Sequence, residues 1–150
     1  MAGGVKETGR LLPAVMPKEI VITVGVHDDD GAAQHNGAEG LTVADVATFQ
    51  EFGTRTVPQR SFIRGWFDEN QEFIAETLRK QFAAVAEGKR DAETAAERCA
   101  LAFEGGIKQR ISRGIPPPNA PSTIAAKGSS TPLINRGQLR NAIRGKAEVK

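Results

Sequence analysis

The sequence predicts a single α+β domain in which an antiparallel sheet packs against two long helices. Three patterns indicate this fold class. Residues 19–27 alternate apolar and polar side chains with the period of a strand, and residues 62–87 and 92–113 repeat apolar side chains at helical spacing. The C-terminal tail can add an edge strand. Because 150 residues suffice for one domain with its own core, residues 1–150 are expected to form one domain.

The N-terminal segment is predicted to contain one strand between two irregular stretches. Residues 1–18 include two prolines and little periodicity, so we expect an extended arm. Every second residue from Ile20 to Val26 is β-branched and apolar, which places these side chains on one face of a strand. Residues 28–40 are polar and glycine-rich, so a flexible loop is expected there.

A short helix is predicted from Thr42 to Phe52. Thr42 can act as its N-cap, and Asp45, three residues later, can complete a capping box. Gly53 can adopt the left-handed conformation that ends a helix. The segment that runs to Pro58 is expected to be extended, since the residue before a proline disfavours helix.

The two long helices are predicted to follow directly. Ser61 is the expected N-cap of the helix at 62–87, and Asp91 is the expected N-cap of the helix at 92–113. The Gly105–Gly106 pair lies inside the second helix and is expected to kink or break it, because each glycine costs about 1 kcal/mol relative to alanine.

The C-terminal segment is predicted to be a proline-rich arm that returns to the sheet. Residues 114–132 are rich in proline, glycine and serine and should form a stiff connector. Residues 133–150 combine a small apolar set with a basic background, and their end can form an edge strand.

Charge is distributed unevenly along the chain. Residues 107–150 contain nine basic side chains and one acidic side chain, whereas residues 1–106 contain 11 basic and 17 acidic ones. Two interpretations remain open from this asymmetry. The basic end can bind nucleic acid, or copies of the chain can contact one another head to tail, acidic surface to basic surface.

No catalytic or metal-binding motif is evident. Cys99 is the single cysteine, and its position on an apolar helix face predicts a small buried hydrophobe. The cluster from His27 to Asp30, with His35 nearby, lacks the ligand spacing of a calcium loop, so a solvated acidic loop is expected. No apolar run approaches the roughly 20 residues of a membrane span. We therefore expect a non-enzymatic protein without cofactor, metal or membrane partner.

Two segments of the sequence carry recognisable motifs. Residues 49–54 (FQEFGT) and 57–64 (VPQRSFIR) resemble the pattern hEFGT followed by PxR(P/S)FhR, where h is usually apolar. Residues 118–143 are similar to LxxxThxxKGSxxPLhDTGxLxxSI. In this order, the motifs resemble those of neck or tail-completion proteins of tailed bacteriophages, also described as minor tail or virion morphogenesis proteins. The resemblance covers residues 41–145.

Two positions depart from the family pattern. Ser61 stands where the family commonly has proline, and Asn135-Arg136 stand where Asp-Thr is usual. Both positions look like turn or cap positions, so we expect the fold to be retained with different local contacts.

The resemblance implies a structural virion protein made in the host cytoplasm and located in the neck or tail. It implies a homo-oligomeric ring, a hexamer, at the head–tail junction or the upper end of the tail. The implied partners are other copies of the chain, neighbouring neck or connector proteins and tail-tube or tail-terminator proteins, with non-specific contact to genomic DNA in the lumen. The alternative from another class is a basic DNA- or RNA-binding accessory protein.

The resemblance also identifies motif and interface candidates. Within the first motif two roles remain open. In one, Glu51 pairs with Arg60 while Phe52 and Phe62 anchor the core; in the other, the motif contacts a neighbouring subunit directly. The full set of candidates is Glu51, Phe52, Gly53, Thr54, Pro58, Arg60, Phe62, Arg64, Lys127, Gly128, Pro132, Leu133, Gly137, Leu139 and Arg140.

Overall fold

A two-stranded antiparallel sheet packed on one long helix forms the centre of the fold. The computed structural model describes residues 17, 19–35, 40–122, 125 and 137–150. Helices and strands are mixed along the chain. In chain order the elements are β1 (Ile20–Val26), α1 (Asp28–Gly31), α2 (Val43–Phe52), α3 (Arg64–Glu69), α4 (Gln71–Ala86), α5 (Ala92–Arg113), α6 (Gln138–Ala142) and β2 (Ile143–Val149).

The sheet joins two segments that are far apart in the sequence. β1 pairs with β2 in a register that runs from Ile20 opposite Val149 to Val26 opposite Ile143. Ile22 and Val24 pack against the core, and Ile143 is fully buried. The predicted strand at 19–27 and the predicted C-terminal strand are both confirmed.

The long helix α5 provides more of the core cluster than any other element. Asp91 caps it by accepting a hydrogen bond from the Thr94 N–H at 2.7 Å, and the predicted bounds of 92–113 are confirmed. Cys99 is buried on its inner face, as predicted. The core cluster comprises Val43, Ala47, Phe62, Trp66, Cys99, Phe103, Ile107, Ile111, Ile115, Leu139, Ala142 and Ile143.

The predicted break in α5 is wrong, because the helix continues through Gly105 and Gly106. The indole of Trp66 packs against Gly106 so closely that a Cβ there would lie 2.3 Å from Trp66 Cζ2. Ile107, the residue after Gly106, is fully buried in the core and also favours the continuous helix. These tertiary contacts outweigh the low helix propensity of glycine.

The single helix predicted at 62–87 is divided into α3 and α4. Asn70 separates them with φ −120° and ψ 26°, and its side-chain amide donates to the Trp66 carbonyl at 2.7 Å. Such a side-chain bond to the backbone competes with helix continuation. The predicted cap Ser61 lies two residues before Ile63, the N-cap of α3, but its hydroxyl still accepts from the Gly65 N–H at 3.0 Å.

The capping box predicted for α2 is confirmed. The Thr42 hydroxyl accepts from the Asp45 N–H at 3.2 Å, and the Asp45 carboxylate accepts from the Thr42 N–H at 2.9 Å. The helix ends at Phe52, as predicted. Gly53 has a positive φ, +75°, but its ψ of 165° is extended, so the predicted left-handed helical conformation is wrong.

The predicted irregular segments are described only in part. One helical turn, α1, lies within the segment predicted as a loop at 28–40, and residues 36–39 lie outside the described residues. Most of the predicted arm at 1–18 also lies outside them, as do 123–124 and 126–132 of the connector. None of the helices described is long and apolar enough to span a membrane.

Candidate subunit interface

The first motif folds around the carboxylate of Glu51. Glu51 lies in the last turn of α2, and only 5% of its surface is exposed. Its carboxylate joins the end of α2 to the start of α3. It accepts hydrogen bonds from the Ser61 hydroxyl at 2.7 Å, from the backbone N–H groups of Phe62, Ile63 and Arg64 at 2.8, 2.9 and 3.0 Å, and from Arg64 Nε at 3.1 Å.

These donors decide the ionisation of Glu51. Burial raises the pKa of the carboxyl group, but the hydrogen bonds from the Ile63 N–H, the Ser61 hydroxyl and Arg64 outweigh that effect and hold the pKa below its ordinary value. Glu51 is therefore charged at neutral pH, where it holds the segment at 61–64 in place.

Arg60 binds the connector rather than Glu51. It is buried, and its Nε donates to the Pro117 carbonyl at 2.8 Å while another guanidinium nitrogen donates to the Pro118 carbonyl at 3.2 Å. A third donates to Gln50 Oε1 at 3.1 Å. The expected Glu51–Arg60 pair is therefore wrong: backbone amides occupy the carboxylate, and the planar guanidinium fits two adjacent carbonyls. Since Pro118 opens the second motif, Arg60 links both motifs.

The two phenylalanines of the first motif have opposite environments. Phe62 is fully buried in the core, as expected, whereas 59% of Phe52 is exposed, so the expectation that Phe52 anchors the core is wrong. Successive helix residues are about 100° apart, so Phe52 points outward when Glu51 points inward. The Arg64 guanidinium lies 4.5 Å from the centre of the Phe52 ring, a cation–π contact, and about half of the Arg64 side chain remains exposed.

A tight turn follows Phe52. The Thr54 hydroxyl accepts from the Thr56 and Val57 N–H groups at 3.2 and 3.0 Å. A Cβ on Gly53 would lie 3.0 Å from the Gln59 backbone nitrogen, so glycine suits both the positive φ and the close approach. Gly53 and Thr54 thus shape the turn.

The surface of the first motif carries an exposed aromatic side chain in contact with the Arg64 guanidinium. Arg55 and Pro58 are exposed on the turn that follows Phe52. We define the Phe52 patch as Phe52, Arg55 and Arg64. Its two anchored members, Phe52 and Arg64, are fixed relative to the core by Glu51.

The second motif contributes to the core and to the sheet. Gly137 has φ +72° at the start of α6, Leu139 is buried in the core, and Arg140 is half-buried on the same helix. The helix leads directly into β2. The other candidates from this motif, Lys127, Gly128, Pro132 and Leu133, lie outside the described residues.

Sequence reasoning missed a groove between α5 and β2. Its volume is about 530 Å³, and Leu101, one of its lining residues, is 67% exposed. The sequence feature that could have revealed the groove is Leu101, a large apolar residue that lies outside the predicted apolar face of α5. We define the α5–β2 groove by its lining, which is Glu97, Ala100, Leu101, Glu104, Gly145, Lys146, Ala147 and Glu148.

Glu104 and Gly145 fix the width of this groove. Glu104 accepts from the Gly145 N–H at 2.9 Å and from Lys108 Nζ at 2.6 Å. Burial raises the pKa of Glu104, but these two bonds and the nearby Arg144 charge lower it by more. A Cβ at Gly145 would lie 2.3 Å from the Ala100 carbonyl oxygen, so β2 lies directly on the backbone of α5.

Basic residues of β2 pair with acids of the α1 turn. Lys146 Nζ lies 3.0 Å from the carboxylate of Asp29, and Arg144 lies 3.8 Å from that of Asp30. The lysine bond lowers the pKa of Asp29. The acidic cluster predicted as a solvated loop therefore contacts the sheet. Within the described residues, no three His, Cys, Asp or Glu side chains converge as metal ligands would.

A second cleft lies between α3 and the C-terminal end of α5. It has a volume of about 630 Å³ and contains Trp66, Gly106 and Arg113 in its walls. Arg110, which also lines it, donates to Glu69 and to the Ser61 carbonyl. The Arg110 guanidinium of this cleft is therefore already hydrogen-bonded within the fold.

Together these sites offer a projecting patch and a groove, both of which suit contact with another protein. Exposed aromatic and arginine side chains on a rigid base are typical of protein interfaces. Comparison of the chain with models of protein families, with curated proteins and with solved structures found no match.

Proposed function

We propose that this chain is a structural subunit of a tailed-bacteriophage virion that forms a homo-oligomeric ring at the head–tail junction or the upper end of the tail. One observation carries the proposal. The family-like motif at 49–64 folds into one unit whose buried polar groups are held by hydrogen bonds within the fold and whose exposed face is the Phe52 patch.

The hydrogen bonds within the motif at 49–64 favour a role in binding over one in catalysis. Glu51 and Arg60, its two buried charged groups, are occupied by hydrogen bonds within the fold. Glu51 holds Arg64 in place against the Phe52 ring before a partner arrives, and such preorganisation reduces the entropy lost on association. Aromatic and arginine side chains are also the commonest energetic centres of protein interfaces.

A ring needs two different contact surfaces on each subunit. Head-to-tail contacts close into a ring when the rotation between subunits closes. The resemblance favours six copies, with neck or connector proteins on one side of the ring and tail-tube or tail-terminator proteins on the other. The sequence motifs, not the geometry, support these partners and the virion location.

The nucleic-acid alternative gains little support from the described residues. Of the basic side chains on β2, Lys146 and Arg144 lie beside Asp29 and Asp30. Because these carboxylates offset the positive charge, the strand presents less of the basic surface on which phosphate binding depends. Contact of other basic residues with genomic DNA in the lumen remains part of the proposal.

Imaging of purified phage particles tests the proposed function. An affinity-tagged copy should co-purify with particles, and electron microscopy with a tag-specific label should place it at the neck as a ring. Absence of the chain from particles would contradict the proposal. Salt-dependent binding of duplex DNA by the isolated protein, together with that absence, would favour the accessory-protein alternative.

A further inference from the structure

We propose that the Phe52 patch of one copy docks into the α5–β2 groove of the next copy. This inference rests on the proposed function and specifies its contact surfaces. The occupant of the groove is a second copy of this chain, because the patch and the groove match in apolar surface and in charge.

The apolar match joins the two most exposed large hydrophobic side chains of the described residues. Phe52 is exposed on the patch, and Leu101 is an exposed part of the groove lining. Ala100 and Ala147 add small apolar side chains to the same lining. Contact between the two surfaces would remove both large side chains from water, which is the main favourable term in association.

The charges on the two surfaces are opposite. The patch carries two cations, Arg55 and Arg64. The groove lining has a net negative charge, because its three acids, Glu97, Glu104 and Glu148, outnumber Lys146. Glu148 also lies 3.5 Å from Lys150, so Glu97 is the groove acid that is left to face the patch. Glu104 is the least available of the groove acids, since Lys108 and the Gly145 N–H bind it. Opposite charges at an interface rim increase the association rate and set the orientation of the partners.

The contact would be heterologous, because the patch and the groove share no residue. Each copy therefore offers a patch to one neighbour and a groove to the other. Repetition of this contact produces a closed ring or an open filament. A self-complementary surface would instead produce a dimer in which equivalent residues face each other.

Disulfide capture between separately purified variants tests the contact. Phe52→Cys and Leu101→Cys both replace exposed side chains, so the fold should tolerate them. Under mild oxidation at high protein concentration, the mixture should form cross-linked heterodimers at least about tenfold faster than either variant alone. Unsubstituted protein controls for Cys99, which is buried and whose thiol pKa burial raises.

Two outcomes of the cross-linking would overturn the inference. Equal or faster cross-linking of Phe52→Cys with itself would indicate a self-complementary contact. No heterodimer in the mixture would mean that patch and groove do not meet.

A charge exchange tests the same contact without cysteine. Arg55→Glu and Glu97→Lys each should weaken self-association about tenfold in sedimentation, and a mixture of the two variants should recover hetero-association. Glu93→Lys is the matched control, since Glu93 is exposed one turn earlier on α5 and does not line the groove. Equal weakening by Glu93→Lys would show an effect of net charge alone and would contradict the docking.

The inference and the proposed function fail separately. If particles contain the chain but the Phe52→Cys and Leu101→Cys variants form no cross-link with each other, this contact is excluded and the virion role stays intact. Cross-linked rings of a chain that is absent from particles would exclude the virion role and leave the contact intact.

Discussion

Glu51 brings a charged group into the interior and uses it to organise the backbone around it. Five donors from residues 61–64 converge on its two oxygens. Buried N–H groups that lose their acceptor cost about 1–3 kcal/mol each. The carboxylate therefore stabilises the segment that supports the Phe52 patch, rather than acting on a substrate.

Replacement of Glu51 should destabilise the protein strongly. We expect Glu51→Gln to lower the free energy of unfolding by about 2–4 kcal/mol, because the amide nitrogen cannot accept hydrogen bonds from the buried N–H groups. Glu93→Gln, on the exposed face of α5, is the control and should change it by less than about 0.5 kcal/mol. Urea denaturation at pH 7 measures both. Equal effects of the two substitutions would contradict the role assigned to Glu51.

The contribution of Glu51 should also depend on pH. Because its pKa is lower in the folded state than in the unfolded state, the stabilisation is complete above the unfolded value of about 4.3. This stabilisation is lost as the pH falls through the lower pKa that Glu51 has in the folded state. The stability difference between wild type and Glu51→Gln should therefore shrink as the pH falls over about one to two units below that unfolded value. A difference that stays constant across this range would refute the linkage.

Helix α5 shows how a tertiary contact reverses a local preference. Gly105 and Gly106 have the same propensity, yet only Gly106 contacts Trp66. Gly106→Ala should destabilise the protein by about 1–3 kcal/mol, because the new methyl group overlaps the indole. Gly105→Ala has open space around it and should stabilise by about 0.5–1 kcal/mol. Thermal denaturation of both variants distinguishes these outcomes. Stabilisation by both substitutions would contradict the close contact between Gly106 and Trp66.

The sheet offers a similar comparison, with one glycine on each strand. Gly145→Ala should cost about 1–3 kcal/mol, because its Cβ would meet the carbonyl of Ala100. Gly25→Ala, on the paired strand, meets Ile63 at an ordinary 3.7 Å and should change stability by less than about 0.5 kcal/mol. Urea titration provides the comparison. A tolerated Gly145→Ala would show that β2 can move away from α5 at low cost.

The whole molecule depends on contacts between the two ends of the described chain. β1 and β2 are separated by more than a hundred residues in sequence, and together they cover α5. The second motif supplies Leu139 and Ile143 to the core that contains Val43 from α2. The sheet therefore forms only when the C-terminal strand β2 pairs with β1.

Truncation after Ala142 should abolish cooperative unfolding. The shortened chain loses β2 and the buried Ile143, so β1 has no partner among the described strands. Removal of Lys150 alone is the control; it loses two backbone hydrogen bonds to Glu19 and should keep a cooperative transition. Circular dichroism during urea denaturation detects the difference. A cooperative transition in the chain that ends at Ala142 would contradict this dependence.

The sequence by itself determined the elements that local chemistry controls. The capping box of Thr42 and Asp45, the bounds of α5 and the strand β1 were all predicted correctly. Each depends on side chains within a few residues of one another, so each can be recognised in a short window. The motif that contains Glu51 was also identified from sequence, though not the bonds that it makes.

The tertiary structure alone decided which groups meet across long separations. It directed Glu51 to backbone amides and Arg60 to the connector, turned Phe52 outward, and exposed Leu101 beside β2. It also kept α5 continuous at Gly106. The physical reason is common to all of these features. Burial and hydrogen bonding depend on neighbours that the fold brings together, and their energies exceed the propensities that a local sequence pattern expresses.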